Sequence, residues 1–292
     1  MPHLPGLAVW RFFLIASVFL TYTPLYWLLL KVNQPLGFRF GRFYLSCWRR
    51  CIGHQLIIKG ELSKETPTLF VSNHSSYVDI LVLGTFVPAR FVAKKEVAKW
   101  PIMGWLATNQ GTIYIDRSRN AIADGTEKLA EYLDRGESLI LFPEGTTSDG
   151  CRILPFGSSF FDIAMKKKVM VQPITVTYAG WDGLPMPLYM RKFCGWFSPE
   201  IDMVSHLWAI AQWGTVQVVV DLHPVMDPQT FSSRKSLSQA SFEAVQKGLL
   251  DAFSRPLSEQ MNQVYSSDFK ACPRVGEEPR KPLDPHFCED KT

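Results

Sequence analysis

The chain has 292 residues, of which 47% are hydrophobic and 20% are charged. Its 31 Lys and Arg residues against 27 Asp and Glu residues leave a formal net charge of +4, which is too small to predict a nucleic-acid-binding protein. This length accommodates one α/β domain with appendages. The apolar composition and the mild positive charge are typical of a protein at an anionic membrane surface.

An uncharged segment near the amino terminus predicts a membrane-embedded helix. Residues 12–30 carry no charge and are bounded by Arg11 and Lys31. At about 1.5 Å per residue, a helix of this length nearly spans the ~30 Å hydrocarbon core. A cleavable signal peptide is disfavoured, because the run exceeds the usual signal core and no small-residue cleavage site follows. Pro24 predicts a kink, and both a spanning and a re-entrant helix fit the pattern.

The residues after this segment complete the predicted organisation. The aromatic and basic stretch 38–50 predicts a second, interfacial helix, and the excess of basic residues after the apolar segment places the following domain on the cytosolic face. We therefore expect a membrane anchor over 1–50, a main domain over 51–255 and a polar, Pro-rich tail over 256–292. The stretch 181–208 predicts a surface loop or a short helix that dips into lipid.

Between the anchor and the tail, short apolar runs alternate with longer helical patterns. This alternation predicts an α/β domain with a mixed, largely parallel sheet flanked by helices. The predicted strands lie at 55–58, 68–72, 89–93, 112–115, 138–142, 169–176 and 216–221. The predicted helices lie at 76–85, 96–108, 120–134, 160–167 and 239–253, and Pro101 interrupts the second of them.

The six cysteines predict reduced thiols and no metal site. They are scattered along the chain, without a C-x-x-C pair or histidines at zinc-binding spacing. Cys47 and Cys51 would share one face of a helix, where two small apolar side chains are the simpler interpretation. No cofactor is predicted either.

The stretch NHSSYVD, residues 73–79, contains a histidine and a carboxylate that suit acid–base chemistry. His74 and Asp79 are too far apart for contact on a regular helix or strand, so a turn must bring them together. The two serines between them favour a helix start there. Asp79 would then accept from one ring nitrogen of His74 and leave the other as a general base. Alternatively, the polar residues only cap a helix and His74 is a surface residue.

The stretch FPEGTTS, residues 142–148, ends a predicted strand at the edge of the sheet where α/β proteins place their sites. Gly145 permits a turn that presents backbone amide hydrogens, while Thr146 and Ser148 add hydroxyl donors. Glu144 either binds the polar head of an acceptor or holds the loop. A purely structural turn is the alternative.

Basic residues follow two predicted strands at this same edge. Arg117 is placed to bind a phosphate through its planar guanidinium, or else to pair with Asp116 or Glu137 on the surface. Lys94 and Lys95 would add to a positive field around the site.

Four blocks of residues, at 73–79, 111–117, 142–148 and 171–176, resemble in order and spacing those of the glycerolipid acyltransferases, which include 1-acylglycerol-3-phosphate acyltransferase. The resemblance spans about 56–178. It implies an α/β acyltransferase fold and an acyl-CoA or acyl carrier protein thioester as donor. The acceptor that it implies first is the lysolipid 1-acyl-sn-glycerol-3-phosphate, which would give phosphatidic acid.

The resemblance also implies roles for single residues. His74 would be the base that Asp79 orients, and Arg117, Glu144 and Gly145 would take part in acceptor binding. In this scheme the histidine removes a proton from the hydroxyl of the lysolipid, which attacks the thioester directly without an acyl-enzyme. Amides around Gly145 or nearby hydroxyls would hold the oxyanion.

One residue departs from the family pattern. Many relatives that use lysophosphatidic acid have arginine where this chain has Thr147, and the Gly-Thr-Thr-Ser sequence is similar to lyso-ornithine lipid acyltransferases, whose acceptor carries no phosphate. Lyso-ornithine lipid or another lysophospholipid is therefore the alternative acceptor. Thr146 and Lys94 complete the predicted substrate-binding residues. A serine hydrolase is disfavoured because no G-x-S-x-G turn is present, and a non-catalytic lipid-binding module remains the weaker alternative.

Overall fold

The computed structural model describes residues 4–100, 103–116, 122–197, 200 and 202–260. Two helices, α1 (Pro5–Val32) and α2 (Gln34–Cys51), form a hairpin at the amino terminus. Asn33 ends the first helix and caps the second, because its side chain accepts the Leu36 amide at 3.1 Å. The helix α1 continues through Pro24, and α2 begins four residues before the predicted interfacial helix.

The helix α1 exposes most of its apolar surface. It is the one helix in the described part of the chain that is long and apolar enough to cross a membrane. Its outward-facing large side chains are Val9, Trp10, Phe13, Leu20, Leu25, Trp27, Leu28 and Val32. Such a surface is consistent with membrane association, because isolated apolar helices of this length are otherwise buried in a protein core.

The buried Arg11 joins α1 to the rest of the molecule. Its guanidinium donates to the carbonyls of Ala211 at 3.3 Å, Trp213 at 2.6 Å and Gly214 at 2.8 Å. Farther along the same helix, the Tyr26 hydroxyl donates to a backbone carbonyl 83 residues away, at 2.9 Å. The hairpin is therefore packed against the main domain and is not a loose tether.

The described residues contain eight strands, which form one mixed sheet. They are β1 (His54–Lys59), β2 (Thr68–Ser72), β3 (Arg90–Lys94), β4 (Ile113–Ile115), β5 (Leu139–Leu141), β6 (Met170–Trp181), β7 (Leu184–Pro185) and β8 (Val216–Leu222). Their order is β1-β8-β6-β2-β5-β3-β4, with β7 beside β6. All neighbours are parallel except β6 with β8 and with β7. The predicted mixed, largely parallel sheet is confirmed.

Helices cover this sheet. They are α3 (Val78–Leu83), α4 (Met103–Asn109), α5 (Ile122–Asp134), α6 (Phe161–Lys167), α7 (Leu188–Cys194), α8 (Met203–Ala211) and α9 (Arg234–Ser254), with short 3₁₀ turns at Lys95–Lys99 and Pro228–Thr230. The predicted helix 96–108 is divided into the first of these turns and α4. The stretch 181–208, predicted as a loop or a short helix, contains α7 and most of α8.

Two predicted boundaries differ for identifiable reasons. The last helix begins at Arg234 instead of 239, because Ser233 and Ser236 form a reciprocal capping box. The strand predicted to end at 176 continues to Trp181, because β8 pairs with it along its whole second half. The predicted start of α5 at 120 and the tail beyond 260 lie outside the described residues.

The topology places the sequence blocks at one edge. Strand β2 is buried along its full length and lies between β6 and β5, while β5, β3 and β4 run parallel to it. Their carboxyl ends therefore meet at the same edge of the sheet. The stretches 73–79 and 142–148 both begin there, next to each other.

Candidate active site

The turn between β2 and α3 brings His74 and Asp79 into contact. Strand β2 ends at Ser72, and Asp79 lies in the first turn of α3. The His74 Nδ1 atom lies 2.9 Å from Asp79 Oδ2. The carboxylate is fully buried, while 19% of the histidine side chain is exposed. A buried carboxylate that holds a partly exposed imidazole is the geometry expected of an orienting group and a base.

Three further donors surround the Asp79 carboxylate. Its Oδ2 atom also accepts the backbone N–H groups of Ser75 at 2.8 Å and Ser76 at 2.9 Å. Its Oδ1 atom accepts the hydroxyl of Tyr178 at 2.8 Å. Burial above all, and then the Asp79 charge, raise the pKa of this tyrosine well above its usual value, so that it remains a donor. The carboxylate thus holds the turn that precedes α3 and His74 together, so His74 is not the free surface residue of the alternative interpretation.

The ring of His74 is also fixed from its face. It stacks on Phe142, with the ring centroids 4.0 Å apart and the planes inclined by 16°. Because Asp79 is an acceptor, the contact favours the tautomer with the proton on Nδ1. None of the described residues is hydrogen-bonded to Nε2, so this atom is placed to accept a proton from a substrate.

Glu144 supports the backbone of His74. Its Oε1 atom accepts the His74 N–H at 2.7 Å, and its Oε2 atom accepts the Leu154 N–H at 2.9 Å. Burial raises the pKa of Glu144 to about 7, although these two hydrogen bonds act in the opposite direction. Of the two roles considered for this residue, holding the loop is the one that its contacts show.

The turn at 143–148 uses most of its polar groups internally. Gly145 has a positive φ of 74°, and its N–H donates to the Phe142 carbonyl at 3.1 Å. The buried Ser148 donates its N–H to the His74 carbonyl at 2.8 Å, and its hydroxyl accepts the Gly150 N–H at 3.3 Å. The Gly145 N–H thus closes the turn, and the oxyanion contact expected from amides around Gly145 or nearby hydroxyls stays a prediction.

Comparison with known proteins identifies the family. The model of the Acyltransferase family matches residues 55–177. A lyso-ornithine lipid O-acyltransferase from Rhizobium meliloti is 34% identical over 233 residues, covering 77% of this chain and 78% of that relative. This chain belongs to the acyltransferase family. The resemblance drawn from the four sequence blocks is confirmed.

Other relatives of this acyltransferase carry two kinds of name. A lyso-ornithine lipid O-acyltransferase from Pseudomonas aeruginosa is 33% identical over 217 residues, covering 74% of this chain and 80% of the relative. A 1-acyl-sn-glycerol-3-phosphate acyltransferase from Neisseria gonorrhoeae is 28% identical over 197 residues, covering 66% of this chain and 74% of that relative.

The predicted acyltransferase fold is confirmed by a solved structure. The crystal structure of PlsC, the 1-acyl-sn-glycerophosphate acyltransferase from Thermotoga maritima, matches with a TM-score of 0.64 at 22% identity. The match covers 85% of this chain and 95% of that structure.

Two of the basic residues predicted to bind substrate lie at the same edge of the sheet as His74, whereas Arg90 lies at the opposite edge. Lys94 and Lys95 are exposed at the carboxyl end of β3, on the same edge as His74. Arg117 lies outside the described residues. Glu137, one of its suggested partners, precedes β5 at the opposite edge and pairs with Arg90 there.

Thr146 and Thr147 occupy different environments. Thr146 is exposed beside Gly145, whereas the Thr147 hydroxyl donates to the Trp196 carbonyl at 2.6 Å. The residue in the place of the common arginine is thus part of a loop contact.

Three supporting residues of the acyltransferase site escape prediction from sequence. Asn73 makes two hydrogen bonds with the backbone of Val176, at 2.8 and 2.9 Å. Tyr178 reaches Asp79 from the same strand, and Trp196 donates its N–H to the Ser75 carbonyl at 2.8 Å. The sequence feature that could have indicated Tyr178 is the polar pair Thr177-Tyr178, which directly follows the fourth block within an apolar strand.

In the part of the chain that the structure describes, the acidic, histidine and cysteine side chains of the acyltransferase do not cluster as a metal site. Within the described ranges, no group of three or more such residues is arranged to hold an ion. The cysteines described there, Cys47, Cys51, Cys151 and Cys194, are free thiols.

Proposed function

We propose that this protein is an O-acyltransferase that transfers a long-chain acyl group from a thioester to the free hydroxyl of a lysolipid in membrane lipid synthesis. The observation that carries the proposal is the contact of His74 Nδ1 with the fully buried Asp79 carboxylate. That contact orients the ring and stabilises its protonated form during the reaction. The names of the relatives supply the class of substrate.

The reaction follows from the two ring nitrogens. His74 Nε2 removes the proton from the acceptor hydroxyl as that oxygen bonds to the thioester carbonyl carbon. The carbon–sulfur bond of the tetrahedral intermediate then breaks, and the imidazolium returns the proton to the departing thiolate. The products are an ester and a free thiol, and the histidine is regenerated.

The oxyanion of the intermediate needs donors beside His74. The exposed hydroxyl of Thr146 is our candidate, since Gly145 uses its N–H within the turn. A positioned donor of this kind typically contributes about 3–4 kcal/mol to the transition state. Lys94, at the same edge, adds positive charge for an anionic substrate.

For the acceptor we favour lyso-ornithine lipid, which reverses the order that the motif resemblance implied. Thr147 offers no charge to a phosphate, and its hydroxyl is engaged with the Trp196 carbonyl. The relatives from R. meliloti and P. aeruginosa carry this name at 34% and 33% identity. The second candidate is 1-acyl-sn-glycerol-3-phosphate, which Arg117 and the N. gonorrhoeae relative favour.

We further propose that α1 embeds the protein in the cytoplasmic membrane with the main domain on the cytosolic side. The basic residues that follow α1 support this orientation. The donor would then be acyl-CoA or acyl carrier protein, both of which carry a thioester in the cytosol.

The test is an acyl-transfer assay with a labelled thioester donor and purified protein in lipid vesicles. The acceptors are lyso-ornithine lipid, lysophosphatidic acid and lysophosphatidylcholine, and a fourth reaction contains none. We expect the fastest transfer to lyso-ornithine lipid. Hydrolysis of the donor without an acceptor would indicate a thioesterase, and no turnover at all would indicate a binding module.

The same assay tests the role of His74. His74→Ala should lower kcat by roughly 10²–10⁴-fold, the usual contribution of a positioned general base. His286→Ala is the matched histidine control, because it lies outside the four sequence blocks. Wild-type transfer by His74→Ala would refute the proposed mechanism.

A further inference from the structure

Helices α7 and α8, together with Phe197 in the segment between them, expose large apolar side chains beside the site. The α7–α8 surface comprises Leu188, Tyr189, Phe193, Phe197, Val204 and Trp208, which are between 38% and 63% exposed. On a water-soluble domain, contiguous apolar side chains of this size mark an interaction surface.

The helical periodicity directs these side chains outward. In α7, Tyr189 and Phe193 are one turn apart and exposed, whereas Met190 is buried. In α8, Val204 and Trp208 are likewise one turn apart on the outer face. Both helices therefore present apolar residues on the face that a soluble helix would make polar.

The α7–α8 surface is continuous with the helix that is consistent with membrane association. The ring of Phe12 in α1 lies 5.5 Å from that of Trp208 in α8. Arg11, the residue before Phe12, donates to carbonyls at the end of α8 and just after it. A membrane that surrounds the apolar side of α1 therefore adjoins α8.

The same surface is tied directly to the site. Trp196, which follows α7, donates its N–H to the Ser75 carbonyl at 2.8 Å and accepts the Thr147 hydroxyl at 2.6 Å. The buried His206 of α8 contacts the Tyr77 hydroxyl through Nδ1, at 3.2 Å. The exposed apolar residues are thus anchored to both loops that build the site.

The charged residues of α7, next to its exposed apolar side chains, are basic and suit an anionic lipid surface. Between Leu184 and Phe197 the charged residues are Arg191 and Lys192, both basic, and Lys192 is exposed. The nearby acidic residues are Glu200, which is exposed, and Asp202, which accepts the Ser205 N–H at 2.9 Å at the start of α8. Basic residues next to aromatic ones are typical of segments that bind the lipid headgroup region.

We infer that the α7–α8 surface inserts into the headgroup and upper acyl region of the membrane that holds α1. This second docking point keeps the opening of the site at the lipid surface, where a lysolipid presents its hydroxyl to His74. The inference rests on the proposed function, because only a lipid acceptor requires such a position.

Photo-crosslinking tests the docking independently of catalysis. A benzoylphenylalanine is placed at position 189, 204 or 250 of the full chain carrying His74→Ala, in vesicles of phosphatidylethanolamine and phosphatidylglycerol with labelled acyl chains. Leu250 in α9 is the matched control, since it is 59% exposed and Tyr189 is 63% exposed. We expect lipid adducts at 189 and 204 and none at 250. Adducts between two copies of the chain, or no adduct at 189 and 204, would overturn the inference.

Kinetics provide a second readout. Tyr189→Glu and Val204→Glu should lower acyl transfer in vesicles by roughly tenfold, because each removes apolar burial in lipid and adds a charge. Their transfer in detergent micelles should stay within about twofold of wild type, as should that of Leu250→Glu in both formats. Equal losses in vesicles and micelles would overturn the inference. If wild-type protein transfers no acyl group in either format, the proposed function fails, while the lipid adducts still decide the docking.

Discussion

The hydroxyl of Tyr178 donates to Asp79 Oδ1 at 2.8 Å across a separation of 99 residues, inside the core of the domain. Both side chains are almost completely buried. The bond leaves Asp79 Oδ2 to His74 and to two backbone amides. We therefore propose Tyr178 as a positioning residue, which would act on the reaction through the carboxylate.

We expect Tyr178→Phe to lower kcat by roughly tenfold with little change in the KM for the acceptor, because the lost bond acts on the orientation of His74. The unfolding free energy should fall by about 1–3 kcal/mol, since a buried carboxylate oxygen loses its donor. Steady-state kinetics and chemical denaturation measure both effects. Tyr132→Phe, in α5, is the control. An increase in KM with unchanged kcat would contradict the positioning role.

Asp79→Asn replaces an acceptor by a group that also donates. Its NH₂ group then faces either the N–H groups of Ser75 and Ser76, which cannot accept, or the Tyr178 hydroxyl, which must accept instead of donate; in both cases the negative charge beside His74 is lost. We expect kcat to fall by roughly 10²–10⁴-fold, comparable to the loss of the base itself. A double variant with His74→Ala should lose little more than either single one, because the two act as a unit. Additive losses would show that Asp79 acts separately.

Glu144 should make stability depend on pH. Burial raises its pKa from 4.5 to about 7, so the folded protein binds a proton more tightly than the unfolded chain. The unfolding free energy of wild type should therefore fall, relative to Glu144→Gln, as pH rises from 4.5 to 7. The total change is on the order of 1–3 kcal/mol. Denaturant unfolding at both pH values measures it, with the exposed Glu131→Gln as control; a relative gain with rising pH would refute the assignment.

Lys94→Ala should weaken binding of an anionic donor or acceptor without changing the chemical step. We expect KM to rise by roughly three- to tenfold at low salt and the difference to shrink as salt increases, because the lysine is exposed. Lys64→Ala is the control, since Lys64 precedes β2 at the other edge of the sheet. A lower kcat at saturating substrate would instead indicate a role for Lys94 in the transition state.

Arg11 should hold the hairpin on the domain. Arg11→Met leaves three carbonyls at the end of α8 without their donor, so we expect a loss of about 2–4 kcal/mol in unfolding free energy. Arg11→Lys should recover only part of it, because an ammonium group lacks the planar fork. Thermal unfolding and hydrogen exchange of residues 211–214 measure the effect. Lys235→Met, an exposed position in α9, is the control, and equal losses would contradict the anchoring role.

Local patterns predict most elements of this fold. The strand at 68–72 matches β2 at both ends, because its burial on two faces produces an uninterrupted apolar run. The contact of His74 with Asp79 also follows from local sequence, since both residues belong to one turn. Local patterns do not predict where a strand ends when its partner strand is distant in the sequence. Strand β6 runs past residue 176 because β8 pairs with it there.

The sequence alone specifies the parallel α/β domain, the apolar first helix and the histidine–carboxylate turn, because each depends on residues within one or two neighbouring elements. The folded chain decides which groups support them. Tyr178 reaches Asp79, Glu144 reaches the His74 amide and Trp196 reaches Ser75 across separations of 70 to 121 residues. These contacts depend on the order of strands in the sheet, which no local pattern of hydrophobicity encodes.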